Sequence, residues 1–287
     1  MFAAFGSACR TAYHLKPVAP CPLHRYSGQV FIHQPQGCAR VNHSSLAALL
    51  VDAYQNRRTI SPEQIPADKP ASYAVQQEVL RLRGAEVGGW KLGSKSSTGP
   101  IQGAMLPADC LLASGAELEF AAYTKPAIEL EIAFRLNRAF TPRDERYSDA
   151  EVLGAIGSMG TTIEIVASRI NTWPKVEPLL SLADLLNHGA LIVGDFIDYD
   201  AAFPFIEPAL SFTYAGEDIV PGDGVNPAGD PRRLLPWLVN HYTSQGLTLT
   251  PDIVITTGSY TGMHFPTEPG VAVAEIRGLP GIGFSFI

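Results

Sequence analysis

From Trp90 to the C-terminus the chain repeats one pattern: short runs rich in Ile, Val, Phe and Thr, broken by clusters of Gly, Pro, Asn and Asp. Runs of that length between turn-forming residues read as strands, which commits most of the molecule to β-sheet. The expected strands are Trp90 to Gly93, Ile128 to Leu136, Thr161 to Ala167, Ala190 to Ile197, Ala209 to Tyr214, Asp252 to Thr257, Val271 to Ile276 and Ile282 to Phe286.

Helical signals are fewer. Ser44 or Ser45 can cap a helix whose Leu46, Leu49, Leu50, Ala53 and Tyr54 share one face. A second helix follows Pro70 or Ser72 and stops at Gly84. Ser148-Asp149-Ala150-Glu151 is a capping box, opening a helix expected to end around Gly157 to Gly160. Asp230-Pro231 opens another, with Leu234, Leu235, Leu238 and Tyr242 on one side and Gly246 at its close; Pro236 sits awkwardly inside it. No fixed-period repeat, low-complexity tract or linker divides the chain. The expectation is one domain over 44–287, helical over 44–88 and β-rich over 89–287, preceded by a disordered extension over 1–43.

Bulk properties exclude several functions. At 46% hydrophobic and 17% charged residues, the 287-residue chain has a globular composition. A net charge of -7 opposes binding to a polyanion, which needs clustered Lys and Arg, so nucleic acid is not an expected partner. No apolar run approaches the roughly 20 residues that span a bilayer, so no membrane span is expected. Cys9, Cys21, Cys38 and Cys110 show no C-x-x-C spacing, which points to neither a zinc site nor a disulfide framework and makes cytoplasm the default compartment. Residues 1 to 51 lack Asp and Glu but carry Arg10, Lys16, Arg25 and Arg40. That composition suits a transit peptide, but with so little helical periodicity the favoured reading is an unstructured extension or a misassigned start codon. Asn42-His43-Ser44 matches a glycosylation acceptor and, with no secretory signal, is read as chance.

The segment Lys125-Pro-Ala-Ile-Glu-Leu-Glu-Ile-Ala-Phe-Arg-Leu136 carries the chemistry. Alternation along a strand puts Glu129 and Glu131 on one face. Carboxylates that close raise each other's pKa unless a cation lies between them. Taken alone, the pattern is also that of an amphipathic edge strand with a solvated acidic face. Glu164 adds weight, because its neighbours in Thr161-Thr-Ile-Glu-Ile-Val-Ala-Ser-Arg-Ile170 are apolar and a buried carboxylate needs a partner. Arg169 is one local partner. A divalent cation is another, since three carboxylate oxygens fill half an octahedral shell and suit Mg²⁺ or Mn²⁺. Lys91 on its own reads as a surface residue, but its place between Trp90 and Leu92, with glycines at 89 and 93, favours an inward-facing amine. His188 is a weak candidate for substrate contact, and His241 lies on a helix as packing or surface. Gly93-Ser-Lys-Ser-Ser-Thr-Gly99 lacks the order of a phosphate loop, and no dinucleotide, serine-hydrolase or zincin motif occurs.

Pro126-Ala-Ile-Glu-Leu-Glu-Ile-Ala-Phe134 followed by Ile163-Glu-Ile-Val-Ala-Ser-Arg-Ile170 resembles the paired metal-ligand motif of the 2-keto-4-pentenoate hydratase and 4-oxalocrotonate decarboxylase family, within the fumarylacetoacetate hydrolase superfamily. Gly89-Trp-Lys-Leu-Gly93, Leu185 to Gly194, Pro251 to Gly262 and Gly278 to Phe286 resemble further blocks of that family in the same order, from about Ser45 to the C-terminus. The resemblance implies an α+β fold, the mixed β-roll of the superfamily's C-terminal domain with a helical N-terminal element. It implies Glu129, Glu131 and Glu164 as metal ligands, Lys91 and Asp109 as catalytic groups, Ser259 as a substrate contact, and a homo-oligomer. The implied activity is that of a lyase: hydration of a short unsaturated 2-oxo acid such as 2-hydroxypenta-2,4-dienoate through a metal-bound enolate. The alternatives are decarboxylation of 4-oxalocrotonate, or a catalytically silent homologue serving as a binding subunit. The chain departs from the family where it carries Pro107-Ala-Asp-Cys110, Ala167 in place of an Asp, and Asn187-His188 in place of a serine pair.

Overall fold

A computed structural model of the chain describes residues 43–251 and 253–287. The expectations for residues 1–42, including those for Cys9, Cys21, Cys38 and Asn42, lie outside the described residues, as does Asp252.

Helix α1 (His43–Gln55) packs on α2 (Lys69–Arg83). Asp68 caps α2 by accepting the Ala71 amide at 2.8 Å, Pro70 stands in its first turn, and Gly84 closes it at φ 61°. The buried side of α1 is Leu46, Ala47, Leu50, Val51 and Ala53. Leu49 and Tyr54, expected on that face, are instead substantially exposed. The inward stripe is rotated toward Ala47 and Val51, whose small side chains admit close approach of α2.

Among the described residues, seven strands form the first sheet, in the order β2 (Gln102–Pro107), β1 (Val87–Gly93), β10 (Val254–Ser259), β5 (Ala127–Leu136), β6 (Ile156–Val166), β7 (His188–Asp198) and β3 (Leu111–Ala113). The β1–β10 and β3–β7 pairs are parallel and the rest antiparallel. A second sheet runs β4 (Glu117–Leu118), β12 (Ile282–Phe286), β11 (Gly270–Ile276), β8 (Leu210–Tyr214) and β9 (Glu217–Asp218). An apolar cluster joins the two, with Ile128, Leu130, Ile132 and Phe134 of β5, Ile282 and Phe284 of β12 and Phe212 of β8 all buried. These mixed sheets with few helices make the expected α+β class.

All eight expected strands are present, with shifted ends. The short strands β2, β3, β4 and β9 and the helix α4 (Pro178–Ala183) fall outside the expectation. The capping box at Ser148 forms with both halves in place, but α3 (Asp149–Leu153) stops at Gly154, and Ile156 already begins β6. Pairing with β5 and β7 on both sides captures the glycines and β-branched residues placed by the sequence at the end of the helix. Pro236 is accommodated because Pro231–Arg233 forms a 3-10 turn and α5 (Leu234–Thr243) starts at Leu234. That puts Pro236 in the first turn, where a missing amide costs little.

Candidate metal and substrate site

Strand β5 lies in the interior of the first sheet, between β10 and β6, so its acidic face is not the solvated face of an edge strand. Glu129 stands directly opposite Glu164 on β6, and Glu131 opposite Thr162. Carboxylate oxygens of Glu129, Glu131 and Glu164 lie within 4.8 Å of one another. Glu164 is fully buried, Glu131 nearly so, and Glu129 partly open. Like charges placed opposite each other across a sheet are destabilising, so such a cluster needs positive charge or protons.

Two oxygens of the cluster have well-defined partners. Lys91 Nζ, brought in by β1, donates to Glu164 Oε1 at 2.6 Å and to the Leu186 carbonyl at 3.1 Å. His188 Nδ1 lies 2.9 Å from the same Oε1. Glu131 Oε2 accepts from the Thr256 hydroxyl and, at 2.9 Å, from the Gly258 amide. That amide points inward because β10 shifts register against β5 between Thr256 and Ser259, with Gly258 at φ 90°. Asn226 holds the bulge, its Nδ2 donating to the carbonyls of Thr257 and Gly258 at 3.0 Å each. Ser259 is the register partner of Glu131, and its hydroxyl lies beside Glu129.

The electrostatics follow from burial. Glu131 is pushed up to about 8 by desolvation and then by the charges of Glu164 and Glu129. Glu129 is pushed up to about 7 by desolvation and by Glu164. Burial works against ionisation of Glu164 too, but Lys91 and His188 outweigh it and hold Glu164 below the usual carboxylate range. Burial would also deprotonate Lys91; the three glutamates overcome it and keep the ammonium charged. His188 is pulled down by desolvation and is neutral at physiological pH.

The residues fit a divalent cation. Glu164 Oε2 is buried with no hydrogen-bond partner among the described residues, at a place where three hard oxygen donors converge. Glu129, Glu131 and Glu164 could hold such an ion.

The structure therefore gathers Lys91, Glu129, Glu131, Glu164 and Ser259, but not Asp109. Asp109 sits on the 3-10 turn Ala108–Cys110, largely exposed, with its carboxylate held by Arg83 Nη2 at 2.8 and 2.9 Å. Among the described residues, none of its hydrogen bonds reaches the glutamates. Arg169 is not the partner of Glu164: its Nε donates to Asp184 Oδ1 at 2.5 Å, and its Nη1 donates to the His188 carbonyl. His241 packs between Tyr73 and Trp237.

His188 touches the cluster more directly than its sequence suggests, and Thr256, the Gly258 amide and the Leu186 carbonyl join the site without having been expected there. The Thr257-Gly258-Ser259 turn signal is available for the bulge. Nothing foreshadows the turn before β7, where Leu185, Leu186 and Asn187 all take left-handed conformations at φ 52°, 54° and 60°. This costs each leucine roughly 1–2 kcal/mol, while Asn tolerates the region better. Lys91 on the Leu186 carbonyl, Ser181 on the Asn187 amide group, and the Ala167 amide on the Asn187 carbonyl hold the turn in place.

The fold is shared with solved structures. The chain superposes on 4-oxalocrotonate decarboxylase from Pseudomonas putida G7, complexed with magnesium and adipate, with a TM-score of 0.75 at 20% identity, covering 88% of this chain and 100% of that one. A fumarylpyruvate hydrolase structure from Burkholderia cenocepacia matches more loosely, with a TM-score of 0.53 at 14% identity over 69% of this chain and 86% of that one. No family model matches the sequence. Among curated relatives, 2-keto-4-pentenoate hydratase of Paraburkholderia phymatum is 28% identical over 255 residues, covering 84% of this chain and 96% of the relative. 4-Oxalocrotonate decarboxylase of a Pseudomonas species is 24% identical over 237 residues, covering 77% and 90%. The chain thus has the fold of these decarboxylase and hydrolase structures, in line with the α+β expectation. The family read from the sequence motifs, that of the 2-keto-4-pentenoate hydratases and 4-oxalocrotonate decarboxylases, fits these relatives. Both names denote lyases, which supports the lyase class expected from the sequence.

Proposed function

We propose that this chain is a hydratase of a short unsaturated 2-oxo acid, such as 2-hydroxypenta-2,4-dienoate giving 4-hydroxy-2-oxopentanoate. Residues 44–287 are its catalytic domain, and Glu129, Glu131 and Glu164 hold Mg²⁺ or Mn²⁺. The observation that carries this reading is the convergence of three carboxylates from two paired strands beside one buried ammonium. When bound, the ion supplies Lewis-acid stabilisation of the negative charge that develops on the oxygens of a 2-oxo acid.

The chain's own groups supply the rest. Lys91 Nζ commits two of its three N–H donors to Glu164 and Leu186, which leaves one for a substrate oxygen. Its position is set from both sides, so little reorganisation is needed as charge grows on that oxygen. The Ser259 hydroxyl, at the partly open side next to Glu129, is placed to bind and orient a carboxylate. Burial of Glu131 and Glu164 keeps bulk water from the inner end of the site, which strengthens each of these contacts.

Chelator should abolish turnover of 2-hydroxypenta-2,4-dienoate and Mg²⁺ or Mn²⁺ should restore it, while Glu131→Ala should lose at least about 100-fold in activity. Full activity in that variant would remove the ligand assignment. The similarity to 4-oxalocrotonate decarboxylase supports a second reading, in which the same site releases carbon dioxide from a 2-oxo-3-enedioate. Product analysis with both substrates separates the two. Absence of turnover on either, with metal bound, would leave the binding-subunit reading.

A further inference from the structure

Glu164 has two oxygens in unlike surroundings. Oε1 receives both Lys91 Nζ at 2.6 Å and His188 Nδ1 at 2.9 Å, whereas Oε2 is buried without a partner among the described residues. Because the carboxylate is the acceptor, the imidazole proton sits on Nδ1 and Nε2 is a bare lone pair, itself buried and without a partner among the described residues. The ring is held from behind. Arg169 Nη1 donates to the His188 carbonyl, and Arg169 is fixed to Asp184 through Nε, through Nη2 on the backbone carbonyl at 2.7 Å, and through its own amide at 2.9 Å. The left-handed turn Leu185–Asn187 delivers His188 into β7, and the same turn offers its Leu186 carbonyl to Lys91. Lysine, histidine and turn therefore form one support around a single oxygen atom.

We propose that His188 is a positioning residue for metal binding: with Lys91 it occupies Glu164 Oε1, locks the carboxylate's rotation, and leaves Oε2 as the oxygen presented to the cation. Lysine alone is the weaker lock: its ammonium is seated between Glu164 and the Leu186 carbonyl, but on a four-carbon stem it would follow a turning carboxylate more readily than the ring of a buried, backbone-clamped histidine. The inference rests on the reading that the three glutamates bind a divalent cation.

Mn²⁺ titration of the full chain by calorimetry tests it with three variants. Removing the donor with His188→Leu should weaken Mn²⁺ binding by about tenfold or more, the usual loss when a support behind a ligand is removed. His188→Asn keeps an N–H near the place of Nδ1 and should restore near wild-type affinity. His188→Gln puts its amide nearer the place of Nε2 and should bind as weakly as His188→Leu. A folded His188→Leu with wild-type affinity, or a His188→Gln as effective as His188→Asn, would overturn the proposal. If His188→Leu does not fold, the His188→Asn and His188→Gln pair decides. A wild-type chain that binds no Mn²⁺ would instead sink the parent reading, which keeps the two failures distinct.

Discussion

The two sheets solve opposite problems. In the five-stranded sheet, β11 alternates: Ala272, Ala274 and Ile276 are buried while Val271 and Val273 are 53% and 56% exposed. A sheet with one wet face has somewhere to put polar groups, and the inner face of this strand is purely apolar. In the seven-stranded sheet, β5 is covered on both faces, so Glu129 and Glu131 have little solvent to turn to. Burial raises both toward their protonated forms, and the charge that persists is on Glu164, opposite them on β6, where Lys91 and His188 bind it. The buried strand thus holds a reactive cluster at a cost in stability, while the half-exposed sheet supplies packing.

Matched substitutions in the two sheets test that contrast. Phe284→Ala, in the apolar inner face of the five-stranded sheet, should cost about 3–5 kcal/mol of stability. Lys91→Met should cost a similar amount by leaving the buried Glu164 without its cationic partner. The two losses differ in kind: added Mg²⁺ should recover more of the Lys91→Met loss than of the Phe284→Ala loss in denaturant titrations. Equal recovery would mean that the glutamates do not depend on positive charge.

A smaller effect concerns pH. Glu129 and Glu131 have folded-state values of about 7 and about 8, above the ordinary 4.5, so the folded chain binds more protons than the unfolded chain across that window. Stability of the metal-free protein should therefore fall as pH rises from about 5 to 8. Glu164, shifted downward, contributes stability that is lost only at lower pH, as pH falls through its depressed folded value. Divalent cation, which competes with those protons, should bind more tightly as pH rises through the same window. Metal-free stability that increases from pH 5 to 8 would contradict the cluster's burial. The smallest effect belongs to the wet face, where Val273→Thr should change stability by no more than about 0.5 kcal/mol and leave activity unchanged.

Much of this is written in local pattern. The strands are legible because β-branched runs between turn formers have few other uses, and the alternation of Glu129 and Glu131 puts both carboxylates on one face whatever the partner strands. Gly89, two residues before Lys91, is closely approached by the Val254 carbonyl of the neighbouring strand, as a glycine there suggests, whereas Gly93 faces open space. The capping box at Ser148 and the stop at Gly84 are equally local, and both form.

What the chain's own order could not decide was which groups meet. Glu164 lies opposite Glu129 because β5 and β6 pair in one register, and Arg169 turns to Asp184 because the chain bends away after β6. Leu185 and Leu186 take left-handed conformations against their own preferences, so contacts such as that of Lys91 with the Leu186 carbonyl are needed to hold the turn that brings His188 to Glu164. Asp109 shows the converse: eighteen positions from Lys91 in sequence, it is fixed at the surface by Arg83 of α2. Alternation and turn chemistry are properties of neighbouring residues, whereas a buried charge is settled by whatever the folded chain brings within hydrogen-bond reach.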